Sequence, residues 1–303
     1  MRGYKMQEFT VEKDGFAACF HQGSRKQNAV IIRVGGSGAE KKRVIASGQF
    51  LVDAGYSVLF LGYYLWSGLG NVVSEIPLDY VEKAIHRLKQ CSGNPNLKIG
   101  MTGISQGALY TLACASKIPE ISTIALASPF DYVMEGTTSS FKRTGKSSYT
   151  WHGEALPFSQ WELLNTGLPK LLIRCVRDKK YGLSRMLRFA YDNNPVTEQS
   201  AIAVENMNAD VLLLASANDD CWPSDVAAIR IENRLKTCGY AHIVESRIYE
   251  KGCHNMGGDM LVDGKRAKKL QKMMKAWSDH PQECRECISD SKQRILDFFD
   301  RTL

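Results

Sequence analysis

The chain has 303 residues, 44% of them hydrophobic and 23% charged, a globular composition that excludes intrinsic disorder as its main state. Its 39 Lys and Arg against 32 Asp and Glu give a formal charge of +7. That surplus favours small anionic partners but lacks the clustering of a dedicated nucleic-acid binder, and no apolar run approaches the roughly 18 residues that a membrane span needs.

In chain order, residues 9–12 and 16–21 flank the turn pair Asp14-Gly15 and predict a short antiparallel hairpin that leads a sheet. Apolar runs then recur as buried strands over 29–34, 57–62, 97–102, 121–127, 211–215 and 243–249. Helical patterns lie between them. Leu78, Val81, Ile85 and Leu88 share one face, 108–116 is small and apolar, and 227–235 is amphipathic. This alternation predicts an α/β fold, a mostly parallel sheet with helices on both faces, because parallel neighbours need crossovers that cover the sheet.

Residues 129–207 break the rhythm with Gly136-Thr137-Thr138-Ser139-Ser140, Trp151, Trp161 and one helical pattern over 183–191. A structureless loop of that length is unusual in a compact domain, so the stretch is expected to be a lid-like insertion within a single domain of residues 1–303. Residues 282–299 read as a closing helix. The nine cysteines are scattered and odd in number, which points to reduced intracellular thiols. Met1-Arg2-Gly3-Tyr4-Lys5 runs into mixed polar residues rather than the apolar core of a signal peptide, so a soluble cytoplasmic protein is expected.

Gly103-Ile104-Ser105-Gln106-Gly107 fits G-x-S-x-G between a predicted strand and a predicted helix, the setting of a nucleophile elbow. The turn is so sharp that side chains two before and two after Ser105 would collide with the neighbouring strand and helix. A helix N-cap serine is the plainer alternative. A serine hydroxyl needs a base, and in this chain order the base comes late. His254, in the glycine-bounded stretch Gly252-Cys253-His254-Asn255-Met256-Gly257-Gly258 after the last strand, is placed for it. His21, His86, His242 and His280 suit packing or solvated roles, and His152 is the competitor.

The acid should sit just past a strand end, where Asn218-Asp219-Asp220-Cys221-Trp222-Pro223 follows residues 211–215. Either aspartate could point inward. Asp219 is favoured, with Asp220 as a turn or capping residue for the helix after Pro223, and Asp131 ranks lower. Oxyanion donors would be the N–H of Gln106 and that of Gly36 or Ser37 in Gly35-Gly36-Ser37-Gly38. Neither G-x-G-x-x-G nor a Walker lysine is present, which argues against nucleotide binding. Cys284-x-x-Cys287 has no second pair to complete a metal site and reads as helix packing. Lys265, Arg266, Lys268, Lys269, Lys272 and Lys275 form a basic run after His254, either a solvated face or a phosphate-steering patch.

From about residue 28 onward the chain resembles the dienelactone-hydrolase-like catalytic domain of the acyl-CoA thioesterase and bile acid-CoA:amino acid N-acyltransferase family. The carriers are the glycine loop and serine motif above, Trp151-His152-Gly153-Glu154-Ala155-Leu156-Pro157, Ile202-Ala203-Val204-Glu205-Asn206-Met207, Asn218-Asp219-Asp220-Cys221-Trp222-Pro223-Ser224 and Gly252-Cys253-His254. The resemblance implies an α/β-hydrolase fold, Ser105 as nucleophile, His254 as base and, four residues before Pro223, Asp219 as acid. It implies hydrolysis of acyl-CoA thioesters or carboxylic esters through an acyl-enzyme, with no cofactor or metal. Conjugating members use cysteine as nucleophile, so Ser105 favours hydrolysis over acyl transfer to an amine. A reading of another class is a catalytically silent fold that binds an acyl ligand or a partner protein.

Overall fold

The structure is a computed structural model and describes residues 6–138, 142–165, 168–177, 183–258, 271 and 274–303. Its strands are β1 Gln7–Phe9, β2 Ala17–His21, β3 Ala29–Val34, β4 Val58–Gly62, β5 Ile76–Pro77, β6 Lys98–Ile104 and β7 Ile121–Ala127. These are followed by β8 Glu135–Thr137, β9 Arg143–Ser147, β10 Tyr149–Trp151, β11 Glu154–Ala155, β12 Asp210–Ser216 and β13 Val244–Tyr249. Eight of them make one sheet in the order β1-β2-β4-β3-β6-β7-β12-β13. The first two pairings are antiparallel and all the others parallel.

The central strands are almost wholly buried, as strands covered on both faces must be, which is why they read as continuous Val, Ile, Leu and Ala runs. Covering helices include Lys41–Asp53, Asp79–Ser92, Gln106–Ala115, Ser224–Thr237 and Pro281–Thr302. All six predicted strands after the hairpin are present, with bounds that shift by no more than two residues.

Two expectations change. The leading hairpin exists, but its first arm ends at Phe9, and Val11–Asp14 form a helical turn. Thr10 caps that turn: its Oγ1 accepts from Lys13 N–H at 3.4 Å, and its N–H donates to Asp14 Oδ2 at 2.9 Å. Glu12 is therefore helical, and Gly15 at φ +77° ends the turn. The helix Lys41–Asp53 was not foreseen. Its buried positions Val44, Ser47, Gly48 and Leu51 have helical spacing, but two of the four are not hydrophobic. Gly48 is small because a Cβ there would meet the Phe60 ring at 2.7 Å.

Between β7 and β12 the chain is built of short pieces. β8 and β9 pair with each other, and β10 pairs with β11 and with β5. Three helices follow, Glu162–Asn165, Leu168–Arg177 and Met186–Asn193. Among the described residues no helix is long and apolar enough to cross a membrane.

Candidate active site

Parallel strands that run the same way deliver their following loops to one end of the sheet, where ligands bind in open α/β sheets. Ser105 follows β6, Ser128 follows β7, Asp219 follows β12 and His254 follows β13. Ser105 holds φ +56° and ψ −125°, a conformation rare for a residue with a side chain. The flanking glycines make room for it. A Cβ on Gly103 would lie 2.2 Å from the Gly107 carbonyl oxygen, and one on Gly107 would lie 2.2 Å from that of Gly35. The predicted collisions are therefore between the two glycines themselves and with the glycine loop after β3.

His254, 5% exposed, bridges the other two groups. Its Nε2 is 2.8 Å from Ser105 Oγ, and its Nδ1 is 2.9 and 2.8 Å from the two carboxylate oxygens of Asp219. An ionised carboxylate can only accept, so Nδ1 carries the proton and the Nε2 lone pair faces the hydroxyl. A line of hydroxyl, imidazole and carboxylate so bonded can move a proton from oxygen to ring.

Asp219 is 1% exposed. Burial alone would raise its carboxyl. The charge and hydrogen bond of His254, with donors from Ser224 Oγ at 2.7 Å and Cys221 N–H at 2.8 Å, hold it below the usual value instead. Trp222 N–H adds a further donor at 3.2 Å.

The adjacent Asp220 points elsewhere. It accepts from Arg185 Nε at 2.9 Å and from the N–H of Ala276 at 2.8 Å, while burial raises its carboxyl. It thus caps the helix Lys275–Asp279 rather than the helix after Pro223. Asp131 is also apart from the site, paired with Arg230 Nε at 2.7 Å, and burial outweighs that partner in raising its carboxyl. His152 is exposed and bonds Glu82 at 3.1 Å.

Of the expected oxyanion donors, Gly36 lies against the serine: a Cβ there would come within 3.3 Å of Ser105 Cβ. Ser37 is exposed. Gln106 opens the helix Gln106–Ala115, where the first N–H groups have no partner inside the helix. Buried tyrosines stand behind these positions. Tyr63 OH donates to Gly35 O at 2.8 Å, Tyr64 OH to Gly36 O at 3.3 Å, and Tyr149 OH meets the Gln106 side chain. Tyr63 stacks on Tyr110 at 4.5 Å, and burial pushes the phenols of Tyr63, Tyr110 and Tyr149 far up, so they remain neutral donors.

Cys284 and Cys287 are buried on the closing helix, where Cys284 packs with Cys253, Ala276, Trp277 and Ile288. Lys265, Arg266, Lys268, Lys269 and Lys272 lie outside the described residues; Lys275 pairs with Asp279.

One residue of this cluster escaped the sequence reading. Ser128, fully buried at φ +50°, donates from Oγ to the His254 carbonyl at 2.6 Å and accepts from Trp222 Nε1 at 3.1 Å. Its only sequence signal is position, one residue beyond a predicted strand. Trp222 also presents its ring to His254 edge-on at 5.7 Å and stacks on Phe130 at 5.4 Å.

Residues 76–303 match the family described as BAAT / Acyl-CoA thioester hydrolase C terminal. The chain is 27% identical to acyl-coenzyme A thioesterase 1 of Rattus norvegicus over 195 residues, 63% of this chain and 40% of that protein. It is 28% identical to the mitochondrial acyl-coenzyme A thioesterase 2 of Mus musculus, again over 63% of this chain and over 37% of the other. The match thus spans about two fifths of those relatives' length. Among solved structures, a putative dienelactone hydrolase from Klebsiella pneumoniae superposes with a TM-score of 0.53 at 16% identity, covering 98% of each chain. At that identity the likeness establishes the fold: this is an α/β-hydrolase fold.

Proposed function

This chain belongs to the family of BAAT and acyl-CoA thioester hydrolase C-terminal domains, and we propose that it is a serine hydrolase of acyl thioesters, acyl-CoA above all, or of carboxylic esters. The observation that carries this reading is the 2.8 Å approach of His254 Nε2 to Ser105 Oγ, with Nδ1 held on Asp219.

In the proposed mechanism Ser105 Oγ attacks the acyl carbonyl as its proton passes to His254 Nε2. The Asp219 carboxylate stabilises the imidazolium and fixes the ring. The carbonyl oxygen, now negative, takes the backbone N–H of Gln106 and that of Gly36 or Ser37. Each such donor is worth about 2.7–4 kcal/mol at the transition state. His254 then gives its proton to the departing thiolate or alkoxide, leaving an acyl-serine. Water enters, loses a proton to His254, attacks the acyl carbon and releases the acid as Ser105 regains its proton.

Residues 129–207 are read as a lid that shapes the acyl side. In support, a largely buried aromatic cluster links His254 through Trp222 to Phe130 and Tyr191, with Trp161 edge-on to Tyr191 at 4.8 Å. Apolar aromatic surroundings of this kind beside the base suit an acyl substrate.

The test compares free-thiol release from acyl-CoAs of graded length with hydrolysis of matched aryl esters, using the wild type and Ser105→Ala, alongside a fluorophosphonate probe. Turnover of CoA thioesters that Ser105→Ala abolishes is expected. Turnover of esters alone would make the protein a carboxylesterase, and a folded protein that neither turns over substrate nor is labelled would be a binding module.

A further inference from the structure

Beside the proposed proton relay lies a third group that the mechanism does not use. One ligand atom each of Asp219, Cys221 and His254, a carboxylate oxygen, a thiol sulfur and an imidazole nitrogen, lie within 4.8 Å of one another. Asp219 and His254 are buried, and Cys221 is half-buried. We propose that Cys221, His254 and Asp219 form an inhibitory site for zinc, with water as the fourth ligand. The proposal rests on the serine-hydrolase reading for its inhibitory sense, but not for the binding itself.

The donor set is the argument. Zinc takes thiolate, imidazole and carboxylate together, and mixed sets of this kind are tetrahedral. Bond lengths of about 2.0–2.3 Å place tetrahedral donors about 3.4–3.7 Å apart. The Cys221 sulfur, within 4.8 Å of the other two atoms, must draw in by no more than about 1 Å, while His254 Nδ1 and the Asp219 carboxylate, 2.8 Å apart, must give up their hydrogen bond and spread by about 0.6 Å. Local charge favours a cation. Asp219, Asp220, Asp192 and Asp225 gather here against Arg185 and Arg188 among the described residues.

Binding balances as a proton exchange. The Cys221 thiol releases its proton to solvent, the thiolate bonds zinc, and neutral His254 gives the metal a ring lone pair. Asp219 lies on the Nδ1 side of the ring, so the metal sits on Nδ1, and the ring's remaining proton moves to Nε2. With that proton facing Ser105 Oγ, no lone pair is left to receive the serine's own, and the base is consumed while Ser105 and the sheet are untouched.

Cobalt and zinc chlorides test this on the whole protein, freed of metal by chelator, in a Cys91→Ser/Cys238→Ser background that removes the two exposed thiols. Cobalt should give a thiolate-to-metal charge-transfer band at one equivalent, absent in Cys221→Ala and in Cys221→Ser. Zinc should inhibit hydrolysis reversibly, with relief by EDTA. Its half-inhibiting concentration should rise in Cys221→Ala by more than the roughly 10- to 100-fold carried by outer-shell partners. Each variant is compared with its own metal-free rate. No cobalt band, a band that survives both Cys221 substitutions, or zinc inhibition indifferent to them overturns the proposal. A Cys221-dependent band in a protein that hydrolyses nothing leaves the metal site standing and removes the hydrolase reading.

Discussion

Ser128 Oγ donates a 2.6 Å hydrogen bond to the backbone carbonyl of His254, tying the end of β7 to the loop that follows β13. The tie is made from a strained backbone, φ +50°, inside a fully buried residue. Through its own carbonyl Ser128 also holds Trp222 Nε1, so one residue spans the loops that carry Asp219 and His254.

Ser128→Ala should leave the His254 carbonyl short of a buried donor, a loss of about 1–3 kcal/mol. The expected result is a kcat lower by about 10-fold with KM nearly unchanged, and a reduced thermal midpoint. Steady-state kinetics with a calorimetric scan would check it. An unaltered kcat in a destabilised protein would mean that the bond supports the fold but does not place the ring.

The elbow glycines admit no replacement. Gly103→Ala and Gly107→Ala each place a carbon 2.2 Å from a carbonyl oxygen, one on Gly107 and one on Gly35. Backbone must move, and the expected loss is about 3 kcal/mol or more. Urea midpoints would measure it. Gly70→Ala, where nothing lies within 4 Å, should change stability little.

Three buried aspartates should separate cleanly by assay. Asp219→Asn removes the acceptor that fixes the Nδ1 proton and is expected to lower kcat by about 10⁴-fold. Asp220→Asn and Asp131→Asn each break a pairing with an arginine, Arg185 or Arg230, which costs stability, about 3–5 kcal/mol where the pair is fully buried. The rate per folded molecule should stay within about threefold of wild type, since neither touches the His254 ring. Activity normalised to active-site titration discriminates the two outcomes.

The same residues should pull the acid limb of stability in opposite directions. Asp219 sits below its ordinary value of 3.8, so its contribution is fully present above that value and is lost as pH falls through the lower folded value. Asp131 and Asp220 sit above theirs, held there by burial. The native state binds their protons more tightly than the unfolded state, so stability falls as pH rises through their window. Urea melts from about pH 7 to about pH 3 should show the gap between wild type and Asp219→Asn shrinking at the acid end, while the gap to Asp220→Asn shifts in favour of wild type.

The parallel sheet was legible because both its faces are covered, which turns each central strand into a short apolar run bounded by turns. Ser105 and His254 were legible because glycine chemistry marks the elbow and the loop after the last strand. Asp219 and Asp220 were not separable by pattern alone, since which carboxylate turns inward depends on the distant donors Ser224, Arg185 and Ala276 N–H. The helix Lys41–Asp53 was hidden because Ser47 and Gly48 occupy its packing face, where closeness to Phe60 and Arg33 matters more than hydrophobicity. Ser128 was hidden because a backbone carbonyl is its target, and no side-chain motif records that.

β13 pairs with β12 on one side and has no strand on the other among the described residues, while β6 lies deep within the order. The serine therefore stands on the most protected part of the frame and the histidine hangs from its rim. Edge elements open at lower cost than central ones. A modest rise in temperature is therefore expected to loosen the loop of His254 before the sheet, and Ser105 upon it, gives way, so that loss of the proposed activity should run ahead of melting and reverse on cooling.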